Sequence, residues 1–296
     1  MPRRTSPSKR PAPPETKFVK IAPTIAAARA FVRRPGRPVV LVPTMGALHH
    51  GHAALIRRAR TLAGRNGRVV VSIFVNPTQF GPKEDFSAYP RPFRADAALC
   101  RKAGADLIFR PDAAEMYASD ASVFIDETRL SGDLCGASRP GHFRGVCTVV
   151  AKLFLITQPD IAVFGEKDWQ QLAIIRRMAR DLDFPVKIVG HPTVREPDGL
   201  ATSSRNAYLT PEERAAAPGF YAALRAATEK ATPAAVVRAA ERGIARIPGA
   251  RLDYVRLVDS ATLEPVRRLD RGTTLAAAIF LGRARLIDNV QIPPRA

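Results

Sequence analysis

Two histidines flank a variable residue and a glycine in His49-His50-Gly51-His52, and these are the first residues whose types and spacing suggest chemistry. They follow the apolar run Val39-Val40-Leu41-Val42 and the turn residues Pro43 and Gly46. Such a run reads as a strand buried on both faces of a parallel sheet. Pro43 stops the ladder and Gly46 permits a tight turn. Leu48, His52, Leu55, Ile56 and Ala59 then recur at helical spacing. The expected unit is strand, glycine turn, helix, with imidazoles where the helix begins. A helix N-terminus presents unpaired N–H groups and a partial positive charge, which suit a phosphate. On a helix His49 and His52 share one face, and Gly51 leaves the backbone between them open to a ligand. Two imidazole donors can stabilise charge that develops as a phosphoryl oxygen bond breaks. The competing reading is a pair of surface histidines. Their place directly after a buried strand and a glycine turn favours chemistry.

The same grammar recurs downstream. Arg68 to Val75 reads as a second buried strand, ending in the loop Asn76-Pro77-Thr78-Gln79-Phe80-Gly81. The carboxyl edge of an open α/β sheet is where ligands bind, and Gln79 offers both a donor and an acceptor there. Asp160 to Phe164 reads as a third core strand, ending in Gly165-Glu166-Lys167-Asp168 before a helix from Trp169 to Leu182. Lys167 can neutralise a phosphate, while Asp168 can accept from a ribose hydroxyl or simply cap the helix. Gln171 lies on the same side as Asp168. Further on, after Thr202, Ser203-Ser204-Arg205 places two hydroxyls before a guanidinium, a set that can hold polyphosphate oxygens. Arg139 and Arg144 sit in a loop, Leu134 to Gly145, and either can face a phosphate or solvent.

These strings resemble a known family. H-x-G-H after a first strand is similar to the nucleotidyltransferase superfamily. The longer string Pro43 to His52 resembles the pantothenate synthetase family in particular. So do V-N-P-x-Q-F-G around Gln79, R-P-G-H-F-x-G-V from Arg139, G-E-K-D-x-Q-Q-L from Gly165, and S-S-R-N from Ser203. The resemblance runs from Phe18 to the C-terminal segment around Asp253 to Asp259. It implies ATP-dependent ligation of pantoate with β-alanine through a pantoyl adenylate, with ATP as substrate and Mg²⁺ beside it. It implies His52, His49 and Lys167 as the catalytic set. ATP would lie against Met45, Gly46, Ala47, Leu48, His49, His50, Gly51 and His52. It would also meet Gly165, Glu166, Lys167, Asp168, Val194, Thr202, Ser203, Ser204 and Arg205. Gln79 and Gln171 would bind pantoate, with Arg139 as a further substrate candidate. The family usually carries an acidic cluster after tyrosine-proline-arginine; here only Asp96 remains as a candidate metal ligand. Thr202 stands where the family commonly has methionine or another apolar residue, and His50 where it usually has an acidic one.

The elements that must position these groups follow from pattern. Strands and helices alternate up to about Val194, which predicts a Rossmann-like parallel sheet with helices on both faces. From Pro211 the character changes to alanine-rich helices, Pro211 to Lys230 and Pro233 to Ile247, and then strands at Leu252 to Val258, Thr274 to Phe280 and Arg285 to Val290. The expected division is a basic tail over 1–17, an ATP- and pantoate-binding domain over 18–193 and a smaller α+β lid over 194–296. Ser122 to Asp126 reads as a strand and Val146 to Ile156 as an apolar helix after a glycine turn.

At 296 residues and 46% hydrophobic content the chain can bury a proper core. No apolar run is long enough to cross a bilayer, so no membrane role is expected. Three cysteines, with no metal or redox spacing, suit reduced thiols in the cytoplasm. The net charge of +19 raises nucleic acid as a partner. The basic residues are spread along the chain and aromatics make up only 7%, which disfavours it. Two alternatives stay open: another H-x-G-H nucleotidylyltransferase, or a nucleic-acid-binding module. A homodimer is the expected assembly.

Overall fold

The computed structural model describes residues 18–33, 36–82, 84 and 86–295; the basic segment 1–17 lies outside them. Strands β1 (Lys20–Ala22), β2 (Val39–Thr44), β3 (Arg68–Ile73), β4 (Leu107–Phe109), β5 (Ile161–Gly165) and β6 (Lys187–His191) form one parallel sheet. Their order is β1-β4-β3-β2-β5-β6. Around them lie helices α1 (Ile25–Val32), α2 (His50–Ala63), α3 (Phe93–Ala103), α4 (Ala113–Met116), α5 (Cys135–Ser138), α6 (His142–Thr157) and α7 (Trp169–Asp181). Helices α8 (Pro211–Ala216), α9 (Pro218–Ala227) and α10 (Pro233–Ile244) precede β7 (Ala250–Asp259), β8 (Thr273–Leu281) and β9 (Ala284–Ile292). These last three strands form a separate antiparallel sheet in sequence order.

The apolar run of β2 makes it a central strand. Val40, Leu41 and Val42 have no exposed surface. Leu41 faces a core built with α1, α6 and α7, while Val40 and Val42 face one built with α2 and α3. Burial on both faces is what a doubly wound parallel sheet demands. The antiparallel sheet packs one face on α9 and α10, through Phe220, Leu224, Val236 and Ile244. Val258 and Ala276 join the core of the first sheet instead. The two units are also stitched by polar contacts. Trp169 Nε1 donates to the Ser260 carbonyl at 3.0 Å, and Asn289 Nδ2 donates to the carbonyls of Glu166 and Lys167 at 2.9 and 3.0 Å.

Three expectations are corrected. Ser122 to Asp126 is irregular and belongs to neither sheet. Its Ile125 N–H is satisfied by Thr148 Oγ1 of α6 at 3.0 Å, so a side chain replaces the ladder. Helix α6 begins at His142 rather than Val146, and a short helix, α5, interrupts the expected loop. Gly145 is therefore a helical residue, not a turn, and Cys147 follows no turn. The expected helix Pro211 to Lys230 is two helices, because Pro218 has no N–H to continue the ladder.

Candidate active site

The chain leaves β2 toward β3 and β4 on one side, then returns to β5 and β6 on the other. The carboxyl ends of β2 and β5 therefore flank the point where strand order reverses, which opens a crevice. A cavity of about 230 Å³ lies there. Among its lining residues are Met45, His49, Gly51 and His52 from the β2 edge, Gln79 from the β3 loop, and Gly165, Lys167, Asp168 and Gln171 from the β5 edge. Val194, Thr202, Ser203, Ser204 and Arg205 close it from the other side. Separate parts of the chain thus converge as expected.

His49 is the N-cap of α2, with extended backbone, and His52 lies in the first turn. Their rings are 4.0 Å apart between centroids. His52 Nδ1 accepts the N–H of His49 at 3.3 Å. The neutral His52 ring therefore carries its proton on Nε2 and can donate it elsewhere. Gly51 lines the crevice and also makes room for a neighbouring ring. A Cβ there would lie 3.0 Å from His49 Cε1 and Nδ1. The space above Gly51 is filled by the His49 ring. His49 Nδ1 is buried and has no hydrogen-bond partner among the described residues. Burial is the largest influence holding His49 down to about 3, followed by the charges of His52 and Lys167. His52 is lowered to about 4 by burial and then by Lys167. Both imidazoles are neutral hydrogen-bonding groups at neutral pH. The fixed positive charge beside them is Lys167, whose Nζ is 4.0 Å from Asp168 Oδ2.

Gln79 is held by groups that local sequence reasoning missed. Its Nε2 lies 3.0 Å from Met45 Sδ. Asn76, 1% exposed, donates from Nδ2 to Gln79 Oε1 at 3.2 Å and to the Gly145 carbonyl at 3.1 Å. Asn76 Oδ1 accepts from Tyr117 Oη at 2.8 Å and from Thr78 Oγ1 at 3.0 Å. His142 Nδ1 donates to the Gln79 carbonyl at 2.8 Å, since a carbonyl only accepts. His142 Nε2 then accepts from Arg139 Nη1 at 3.0 Å. Burial, and next the Arg139 charge, lowers His142 to about 4, which suits this neutral tautomer. The asparagine before Pro77 and the histidine inside R-P-G-H are legible as motif letters, but their partners lie far along the chain.

Several expected residues stand outside this cavity. Arg139 is clamped on Glu84 at 2.6 and 2.7 Å and lines a larger adjoining cavity of about 650 Å³. That second cavity lies between the sheet edge and the antiparallel sheet, where Tyr254 and Arg285 line it, and it shares Lys167, Asp168, Gln171, Ser203 and Arg205 with the first. Gly46 takes a positive φ of 84° in the turn. Leu48 packs against the core beneath α2 and α3. The Glu166 side chain lies beside Gly190 of β6. His50 turns toward Thr202, its Nε2 2.7 Å from Thr202 Oγ1. Asp96 is 1% exposed, and its two oxygens accept the N–H groups of Ala47 at 3.0 Å and Leu48 at 2.8 Å. Its carboxylate is occupied in shaping the turn, and burial raises its pKa. No group of three or more His, Cys, Asp or Glu side chains fit for a metal exists among the described residues. The donor set does not fit a protein-held Mg²⁺, and Asp96 does not fit the metal-ligand expectation.

Comparison with known proteins agrees with this geometry. The family model described as pantoate-beta-alanine ligase matches residues 18–291. A pantothenate synthetase of Thermotoga neapolitana is 50% identical over 92% of this chain and 99% of its own. One of Paramagnetospirillum magneticum is 51% identical over 93% and 99%. The crystal structure of pantothenate synthetase from Thermus thermophilus superposes with a TM-score of 0.88 at 48% identity, covering 93% of this chain and 100% of that one. A pantoate-beta-alanine ligase from Francisella tularensis, complexed with beta-gamma ATP and beta-alanine, gives 0.76 at 33% identity, over 92% and 97%. With the fold, the crevice and the five motifs in place, the chain belongs to the pantoate-beta-alanine ligase family.

Proposed function

We propose that the crevice between β2 and β5 activates pantoate with ATP and passes it to β-alanine. A pantoate carboxylate oxygen attacks the α-phosphorus, the α–β bridging bond breaks, and pyrophosphate leaves with that electron pair. The amine of β-alanine then attacks the acyl carbon of pantoyl adenylate. The acyl–oxygen bond breaks, AMP leaves, and the amine proton passes to solvent. The products are pantothenate, AMP and pyrophosphate. The observation that supports this most is the convergence of two neutral imidazoles, one ammonium and two glutamines on one crevice at the strand-order reversal.

Each group has a physical role in this reading. Lys167 offsets charge on the phosphates. His52, with its proton on Nε2, donates to the oxygen on which charge develops as the bridging bond breaks. His49 supplies a second donor surface beside it. Gln79 and Gln171 orient the carboxylate for in-line attack, and orientation is worth several powers of ten in rate. Ser203, Ser204 and Arg205 face the polyphosphate across the crevice. Mg²⁺ would arrive with the nucleotide rather than on a protein site, offsetting phosphate charge, and no step here depends on a protein ligand to it.

Two further parts of this reading concern the setting. The protein works in the cytoplasm as a homodimer. All three cysteines are free, and no helix among the described residues is long and apolar enough to cross a membrane. Val123, 85% exposed, and the free side of Phe124, whose ring carries the Arg144 guanidinium at 4.3 Å, give a second copy an apolar surface to cover. Sedimentation at working concentration checks the dimer.

The test of the reaction is one incubation with ATP, Mg²⁺, pantoate and β-alanine, read by mass spectrometry. Pantothenate, AMP and pyrophosphate in equal amounts, dependent on both acids, are expected. A nucleotide retained on the product would identify a different transferase. Intact ATP with tight, salt-sensitive nucleic-acid binding would overturn the enzyme reading.

A further inference from the structure

The segment that carries Ser203, Ser204 and Arg205 is fastened on two sides. Residues 194–202 form a small hairpin. Thr202 N–H donates to the Val194 carbonyl at 3.0 Å, Arg195 pairs with Ala201, and Gly199 turns the chain at a φ of 93°. On one side the Arg195 guanidinium grips Asp288 of β9 at 2.7 and 2.9 Å and stacks on Tyr221 at 3.4 Å. On the other side the fastening reaches across to α2. Thr202 Oγ1 is 2.7 Å from His50 Nε2 and donates to Glu196 Oε1 at 3.2 Å.

The direction of this relay follows from the groups. A carboxylate only accepts, and a threonine hydroxyl has one proton. With that proton given to Glu196, Thr202 Oγ1 accepts from His50, so His50 Nε2 carries a proton. The order is His50 to Thr202 to Glu196. His50 is the variable residue of H-x-G-H, covalently between His49 and Gly51, and its side chain is 49% exposed, outside the crevice lining. Thr202 is 6% exposed and immediately precedes Ser203, whose Oγ accepts the Arg205 N–H at 3.3 Å. The His50–Thr202 hydrogen bond, with the direct approach of His50 Nε2 to Glu196 Oε1 at 3.5 Å, ties the imidazole wall of the crevice to its hydroxyl wall.

We propose that His50 is a positioning residue for ATP, acting through Thr202 and Glu196 to dock the Ser203–Arg205 segment over the crevice. This rests on the ATP reading above. With the relay cut, the segment keeps its Arg195–Asp288 anchor and the fold survives, but its hydroxyls lose their register against α2. The loss falls on nucleotide affinity rather than on the chemistry of bound substrates.

The test compares Thr202→Val, which keeps shape and removes the hydroxyl, with Thr202→Ser, His50→Ala, His50→Gln and the Thr202→Val/His50→Ala double variant. Calorimetry with ATP and Mg²⁺ is read beside steady-state kinetics. Thr202→Val and His50→Ala should weaken ATP about tenfold, the scale of losing one well-placed bond in a charged relay. kcat should stay within about threefold, and the double variant should be no worse than His50→Ala alone, because the imidazole is the donor end of every contact in the relay. Thr202→Ser and His50→Gln, which keep a hydroxyl and an N–H donor, should recover most of the loss. ATP affinity unchanged in Thr202→Val, losses that multiply in the double variant, or no recovery by the conservative variants would overturn the relay. Wild-type protein that takes up no ATP would instead overturn the ATP reading, and the role of His50 with it.

Discussion

Gly145 sits inside α6, out of the crevice, yet its replacement by alanine should damage substrate binding. A Cβ at this position would meet the Thr78 carbonyl oxygen at 2.4 Å, the Thr78 carbonyl carbon at 2.5 Å and the Gln79 nitrogen at 2.7 Å. These are backbone atoms of the loop that presents Gln79, so no side chain can rotate away. Ordinary contact needs about 3.5 Å, so the loop or the helix must retreat by about 1 Å. Helix propensity alone favours alanine over glycine by about 1 kcal/mol. Overpacking of this kind costs about 1–3 kcal/mol, and the clash here is with rigid atoms, so packing wins. The Asn76 bond to the Gly145 carbonyl, at 3.1 Å, is disturbed as well. A misplacement near 1 Å in a positioning group costs about a hundredfold in rate. Gly145→Ala should therefore lower kcat/KM for pantoate by about two powers of ten. ATP binding, measured by calorimetry, should change little. The melting temperature should fall by a few degrees, as expected for a net loss of about 1 kcal/mol. A variant with near-normal pantoate kinetics and a raised melting temperature would refute the claim that α6 sets the position of Gln79.

Other outcomes follow from the same contacts. His52→Ala should lose about 10²–10³ in kcat, the scale of removing one donor to developing charge, and an equally active, folded variant would remove His52 from the chemistry. Acid should destabilise the ligand-free fold through its histidines. His52 and His142 are lowered to about 4 from an ordinary 6.5, chiefly by burial. Between those values the unfolded chain binds protons that the folded one does not, so stability is full above pH 6.5 and falls as pH drops toward 4. The loss approaches about 1.4 kcal/mol per pH unit for each. Urea titrations at pH 7 and pH 5 should differ accordingly, and equal midpoints would contradict the buried neutral rings. Asp288→Ala removes the ion partner of Arg195, whose side chain is 18% exposed, and leaves it the Gly199 carbonyl and the Tyr221 ring; the cost should be about 3 kcal/mol, read as a shifted denaturation midpoint without change in slope.

Much of the site was legible because it is written locally. The run Val39 to Val42, the turn at Gly46 and the imidazoles beyond it are contiguous, and the strand edge delivers them together. Lys167 and Gln171 follow β5 by the same rule. The supporting groups are written elsewhere. Asn76 reads only as the first residue of a loop, and its bond to Gly145 spans 69 positions. Gly145 reads as a turn because glycine usually marks one; here it is demanded by a backbone crossing the helix. Arg139 reads as facing either a phosphate or solvent, with the family resemblance making it a substrate candidate, and no local pattern shows that Glu84, 55 positions away, holds its guanidinium. His50 and Thr202 each stand out as a departure from the family pattern, and no local pattern announces that residues 152 positions apart share a hydrogen bond. Gly51 reads as room left for a ligand and does line the crevice, but its second neighbour, the His49 ring 3.0 Å from where a Cβ would lie, is not announced by the pattern.

The central claim is that a pantoate oxygen attacks the α-phosphorus within this crevice. The most direct measurement uses pantoate labelled with ¹⁸O in its carboxylate, with ATP, Mg²⁺ and β-alanine, and weighs the AMP released. The account predicts one ¹⁸O atom in the AMP phosphate for each pantothenate formed, because the attacking oxygen leaves with the nucleotide. AMP free of label, or ADP in its place, would contradict it.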